Sequence, residues 1–153
     1  MITAQVEPYA ACLPELVAIY PGHWEEIALD RDKPEAALDP MWEVYAQRDA
    51  DGQLLLVTLR EAGELLGYFL GFKAPGLHYR RCLTYHSDIF YVVPKARRRF
   101  GGKRLLRAVI AECRRHGVKR MFVGEKLHKP SGRLFKAMGF EPVEMIHSLW
   151  IGD

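Results

Sequence analysis

The chain has 153 residues, 49% hydrophobic and 27% charged, with a formal net charge of +3. That length fits one domain, too short for two, and lets about two-thirds of the unfolded surface be buried in one core. The composition excludes a disordered or low-complexity chain, the mild net charge excludes a partner argued from overall basicity, and no run of about 18 apolar residues could span a bilayer.

Cys12, Cys82 and Cys113 are odd in number and widely spaced, without a CxxC pair. This argues against a disulfide framework or a structural zinc site, and no metal is expected. The N-terminus lacks a basic stretch followed by an apolar core, so the expected compartment is the cytoplasm. The charge is local: residues 95 to 120 are dominated by Lys and Arg with Glu112 the sole acid, whereas residues 25 to 64 lean acidic. Such a division separates an anion-attracting face from the rest.

In chain order, residues 2 to 7 alternate as a short strand that Pro8 ends. Leu13, Leu16, Val17 and Tyr20 recur at helical spacing, and Pro21-Gly22 is expected to stop that helix. Trp24, Ile27 and Ala28 suggest a second short helical piece, residues 30 to 40 an exposed connection, and residues 40 to 50 another helix. From Gln53 the period changes. Residues 54 to 59 and 65 to 72 flank Glu61-Ala62-Gly63-Glu64 and predict an antiparallel hairpin. A third meander strand follows, its far end at Ile89 to Val93 too apolar for the surface.

Then comes the junction around which the chain is organised. An apolar run ends at Pro94, the basic residues Lys95, Arg97, Arg98 and Arg99 follow, and Phe100-Gly101-Gly102 leads into a helix. Leu105, Leu106, Val109, Ile110 and Cys113 make one apolar stripe of that helix, opposite Lys103, Arg107, Arg114 and Arg115. Strand, loop and helix start together aim backbone N–H groups and a positive dipole end at one spot, which suits phosphates. Gly117 should end the helix, residues 118 to 123 form a parallel strand, Ser131 to Met138 a helix, and residues 140 to 150 a last strand broken by Pro142. The expected fold is mixed α/β, an antiparallel meander followed by a parallel β-α-β crossover.

This order and junction resemble the GNAT superfamily of N-acetyltransferases. The resemblance rests on Arg97, Gly102 and Leu105 in the loop pattern, on Val92-Val93-Pro94 at the end of the fourth strand, and on Phe135-Lys136-Ala137-Met138-Gly139-Phe140. It runs from about Gln53 to Trp150. Phe100 departs from the pattern where a glycine is usual, and Phe135 stands where many members carry a tyrosine that protonates the departing thiolate. Leu77-His78-Tyr79 and Asp88 are similar to a branch common in tailed bacteriophages.

The resemblance implies one domain over residues 1 to 153, with splayed central strands, an acceptor-side helical region (1–52) and an acetyl-CoA-binding core (53–153). It implies that Arg97, Arg98, Arg99, Phe100, Gly101, Gly102, Lys103 and Arg104 hold acetyl-CoA, with Phe135 nearby. A backbone N–H at Val92 or Val93 would polarise the thioester carbonyl. For the base, Asp88 and Glu125 could each face the cleft, and His86 could relay protons. Trp24, Trp42, His78 and Tyr79 are candidates for the acceptor, with His23 and Tyr45 close in sequence.

The expected activity is acetyl transfer to the primary amine of a small molecule, peptide or protein through a direct ternary complex. The alternative is a degenerate acyl-CoA-binding module, motivated by Phe100 and Phe135. A nucleic-acid partner has only the basic face in its favour, without a helix-turn-helix, zinc ligands or an RNA-binding aromatic motif. The apolar stretch Met145 to Ile151 would suit pairing across a homodimer.

Overall fold

The structure is a computed structural model and describes residues 1–152. Five strands form one sheet in the order β1-β2-β3-β4-β5. β1 (Ile2–Val6), β2 (Leu54–Glu61), β3 (Glu64–Gly76) and β4 (Tyr79–Val92) pair antiparallel in sequence order, and β5 (Arg120–Phe122) pairs parallel to β4. The expected meander and crossover are therefore both present. The β2–β3 hairpin turns on Ala62 and Gly63, both at positive φ, the geometry whose twist matches paired strands.

Both faces of the sheet are covered, which explains the unbroken apolar run in β2. Leu55, Val57 and Leu59 face α4 (Gly101–Arg115), packing with Leu105, Leu106, Val109 and Cys113. Leu54 and Leu56 face the other way, toward Tyr9, Cys12 and Leu16 of α1 (Tyr9–Ile27). Each fully buried Leu or Val contributes about 1.5–3 kcal/mol. α2 (Trp42–Ala50) packs on α1 and β2, and a short 3-10 turn at Pro34–Ala36 lies in the exposed connection.

Several boundaries differ from the sequence reading. Pro21-Gly22 does not stop the first helix, which runs on to Ile27 and absorbs the piece expected at Trp24. A proline here frees the carbonyl of Val17, and Val17, Pro21 and Gly22 are exposed, so water can satisfy it. The buried face meanwhile carries on to His23. The basic loop contains a helical turn, α3 (Pro94–Arg97), and the paired glycines are the first turn of α4 rather than its prelude. β5 is shorter than residues 118 to 123. α5 (Gly132–Ala137) ends before Gly139 at φ 89°.

No strand forms over residues 140 to 150. Its nearest template, β5, offers only three residues, and Pro142 has no N–H to donate. Phe140 packs against the core beside Phe135, but Val143, Ile146, Leu149 and Ile151 are exposed.

His23 fixes α1 to the sheet. It is 3% exposed, its Nδ1 lies 2.7 Å from the Tyr68 hydroxyl, and its ring stacks on Tyr91 at 4.8 Å. Burial pushes its pKa down to about 4 from 6.5, with Arg97 acting in the same direction and Glu26 opposing. Between those values the unfolded chain binds a proton that the folded chain does not. The contribution of His23 is thus fully present above pH 6.5 and is lost as pH falls toward 4, by about 3 kcal/mol at most. Urea unfolding across pH 4 to 7 should show this loss, and His23→Gln should flatten the slope; an unchanged slope would contradict the assignment.

Candidate active site

β4 has two unlike edges. Toward β3 it is paired along nearly its whole length, and the Val93 N–H donates to the Leu66 carbonyl at 2.8 Å. Toward β5 it is paired only at Thr84, Tyr85 and His86, and next to them the Gly124 N–H reaches the Ser87 hydroxyl at 3.4 Å. Beyond Ser87 no strand covers this edge among the described residues. In an antiparallel ladder successive N–H groups alternate in direction. With Val93 bonded to β3, the N–H groups of Val92 and Phe90 point to the open side. Of the two expected backbone donors Val93 is therefore already engaged, and Val92 is free to act.

The basic junction sits at the end of this open edge. Its cations fall into two groups. Lys95 pairs with Glu64 at 2.6 Å, Arg99 grips Glu61 through two bonds of 2.5 and 2.7 Å, and Arg97 grips Glu26 of α1 through two bonds of 2.8 and 2.7 Å. The Arg97 Nε–H also donates to the Val92 carbonyl at 2.7 Å. Arg97 and Arg99, both expected to help hold acetyl-CoA, are held by carboxylates in this structure. Arg98, Lys103 and Arg104 make no ion pair among the described residues.

Glu26 completes the fastening by accepting the Tyr91 hydroxyl at 3.0 Å. Burial alone would raise its pKa, but Arg97 and Tyr91 outweigh burial and hold the carboxyl below its usual range. Nothing in the sequence marks Glu26, because its partners lie far along the chain.

At the start of α4, Phe100 is the N-cap, with φ 60° and ψ 24°, and its side chain is 71% exposed. The glycine-like conformation is thus kept without the glycine. The first helical bond runs from the Arg104 N–H to the Phe100 carbonyl at 3.0 Å, which leaves the N–H groups of Gly101, Gly102 and Lys103 without intrahelical acceptors. A Cβ at Gly101 would lie 2.8 Å from the Ala96 carbonyl and 2.9 Å from Leu59, and one at Gly102 would lie 2.8 Å from Leu134. These glycines let the helix start press against β2, β4 and α5. Phe135 is buried against Phe90 and Phe140.

The carboxylates separate clearly. Asp88 is the extra residue of a bulge in β4, between Ser87 opposite Gly71 and Ile89 opposite Leu70. It is exposed, and the Tyr45 hydroxyl donates to its Oδ2 at 2.5 Å. Burial, and next Asp88, raise the Tyr45 pKa, so Tyr45 stays a donor. Glu125 instead accepts the Ser131 N–H at 2.5 Å and caps the start of α5, so it is engaged away from Asp88.

His86 stacks on Phe122 at 4.8 Å and lies opposite Phe72, whose ring is 5.8 Å from Tyr45. Cross-strand partners share a sheet face, which puts His86 on the side of Tyr45 and Asp88. Trp42 packs between Tyr20 and Tyr45 on that side. Trp24 lies under the Arg31 guanidinium instead. His78 lies in the exposed β3–β4 turn and Tyr79 begins β4, nine residues or about 30 Å along the strand from Asp88, so neither is brought to Asp88.

The geometry is matched by what the chain resembles. Residues 14–140 match the model of the acetyltransferase (GNAT) family. The chain belongs to the GNAT acetyltransferase family. No curated protein matches it in sequence. A GCN5-related N-acetyltransferase from Ralstonia eutropha JMP134 is similar in structure, with TM-score 0.79, 18% identity, and 99% and 100% of the two chains covered. A predicted acetyltransferase from Clostridium acetobutylicum, solved with acetyl-CoA, has TM-score 0.75, 11% identity, and 99% and 97% covered. A ribosomal-protein-alanine N-acetyltransferase from Brucella melitensis biovar Abortus 2308 has TM-score 0.73, 14% identity, and 99% and 100% covered. GNAT acetyltransferases draw their acetyl group from acetyl-CoA. This GNAT chain fits that cofactor: it has unpaired N–H groups at the start of α4, free cations beside them and an open strand edge.

Two substitutions at the junction should have opposite effects. Phe100→Gly removes left-handed strain costing about 1 kcal/mol and gives up little packing. It should raise the unfolding midpoint and keep or tighten CoA binding in calorimetry; lost binding would show that the ring itself contacts the cofactor. Gly101→Ala should destabilise the fold by about 1–3 kcal/mol through its contact with the Ala96 carbonyl, and unchanged stability would refute the close approach.

Proposed function

We propose that this chain transfers an acetyl group from acetyl-CoA directly to a primary amine held on the sheet face beneath α1 and α2. The observation that carries the reading is the meeting, along one stretch of β4, of an open edge, an exposed carboxylate and an anion-attracting helix start. Residues 53 to 153 act as the cofactor-binding core and residues 1 to 52 as the acceptor side.

The N–H groups of Gly101, Gly102 and Lys103, with the side chains of Arg98 and Arg104, would hold the phosphates. Bound acetyl-CoA supplies an activated thioester carbonyl. The Val92 N–H is the donor aimed at that carbonyl oxygen, and Arg97 steadies it by gripping the carbonyl of the same residue. Arg97 and Arg99 contribute by pinning the loop to Glu26 and Glu61 rather than by meeting phosphate. Phe100 sets the turn into α4.

Asp88 takes the proton of the incoming ammonium, and Tyr45 holds the carboxylate in place. The neutral nitrogen would then take the acetyl group from the bound thioester, its C–N bond forming as the C–S bond breaks, and the second proton it sheds would make good the one that the departing thiolate takes up. Phe135 has no hydroxyl to give that proton, Tyr85 donates to the Leu55 carbonyl, and Tyr91 donates to Glu26. The Ser131 hydroxyl at the N-cap of α5, or water, would fill the role. His86, exposed on the same sheet face, would pass the proton from Asp88 to solvent, whereas Glu125 caps α5. Trp42 belongs to the acceptor wall, and Trp24, His78 and Tyr79 stand outside the reacting region.

Direct attack is supported by the cysteines. Cys12 and Cys113 are buried, which pushes both thiols up to about 12, so neither offers a thiolate to carry the acetyl group. All three cysteines are free, in keeping with a reducing compartment such as the cytoplasm. No helix among the described residues is long and apolar enough to cross a membrane.

An amine panel with acetyl-CoA, monitored by thiol release and product mass, tests the reading. Tight CoA binding without turnover on any amine would favour the binding-module alternative that the missing Phe135 hydroxyl suggests. Asp88→Asn should lower kcat by about 10²-fold or more while leaving CoA affinity within about twofold. A variant with full activity would remove Asp88 from the role of base.

A further inference from the structure

The sheet face beneath α1 and α2 is covered unevenly. Deep under the helices it is lined by aliphatic residues such as Leu16, Leu54, Leu56 and Leu70, all buried. Around Asp88 the lining changes to a row of rings, none fully buried: Tyr20, Trp42, Tyr45 and Phe72. Their centroids follow one another at 5.6, 5.8 and 5.8 Å. A partly exposed ring gives up part of the stabilisation that burial would supply, and four in contact make a surface suited to receiving another ring.

The polar equipment of this surface is sparse. Asp88 is exposed, and one of its oxygens takes the Tyr45 hydroxyl at 2.5 Å. The Arg48 guanidinium lies 4.2 Å from the Phe72 centroid, so this row already seats one flat cation on a ring face. Tyr45 supplies the ruler, since its own ring reaches Asp88 through a single oxygen. A second ring lying beside Tyr45 would bring an amine to Asp88 across a short alkyl linker.

We propose that the acceptor is an arylalkylamine, its ring stacked against Trp42 and Tyr45 and its ammonium paired with Asp88. This rests on the acetyl-transfer reading and narrows the class of amine. Trp42 is then the specificity-determining residue, and Asp88 serves both as anchor and as base.

The test compares 2-phenylethylamine with ethylamine, which share the reacting amine and differ in the ring. In calorimetry with CoA-saturated protein, 2-phenylethylamine should bind at least about tenfold more tightly, and kcat/KM should favour it by at least about the same factor. Trp42→Ala should bring both ratios to within about threefold of unity, and Trp42→Phe should restore most of the preference. Equal affinities, or a preference that survives both Trp42→Ala and Phe72→Ala, would overturn the proposal. A binding preference without transfer to either amine would leave the subsite standing and remove the acetyl-transfer reading. Transfer to both at equal kcat/KM with equal affinity would do the reverse.

Discussion

β4 shares one edge with β3 along nearly its whole length and the other with β5 for only three residues. The remainder of the site depends on that inequality. An antiparallel strand directs its N–H groups alternately to either side, so a strand covered on one side only presents a fixed line of donors. The bulge at Asp88 adds a residue within this open stretch, just past the last pair with β5, and exposes its carboxylate. Had β5 continued along β4, the same residues would have been spent on an ordinary ladder.

The junction after β4 divides its charges between ion pairs that hold the fold and side chains that make no ion pair among the described residues. Lys95, Arg97 and Arg99 are tied to Glu64, Glu26 and Glu61, and exposed pairs of this kind add little stability one by one. Their effect is positional. Arg97 reaches from the Val92 carbonyl to a carboxylate on α1, so α1 and the basic loop share one clamp. Phe100 shows the same priority of position over local comfort: a non-glycine residue is kept at positive φ because the turn into α4 is fixed from both sides.

The aromatic residues of the front third also divide. His23 is core, stacked on Tyr91 and bonded to Tyr68. Trp42 and Tyr45, on the exposed side of the same layer, line the approach to Asp88. Sequence spacing alone does not separate these roles, because depth is set by where α1 and α2 cross the sheet.

Much of the fold was legible in residue order. The short apolar runs of β2 to β4, the Ala62-Gly63 turn and the apolar stripe of α4 are local patterns, and each determined its element because run length, turn residues and helical spacing are set by neighbours in the chain. The basic loop and the glycines likewise marked the junction between β4 and α4. What remained hidden was every question of pairing. The sequence of residues 140 to 150 has strand character, yet a strand exists only where a partner edge accepts it. Arg97 has no visible partner in the sequence, and the structure joins it to Glu26, 71 residues earlier. Glu125 and Asp88 look equivalent until one caps α5 and the other meets Tyr45. By itself the sequence determined most of the elements, the meander-and-crossover order and the basic junction. The tertiary structure alone decided which charges are free, which N–H groups are unpaired and which carboxylate is exposed, since those depend on contacts between residues far apart in the chain.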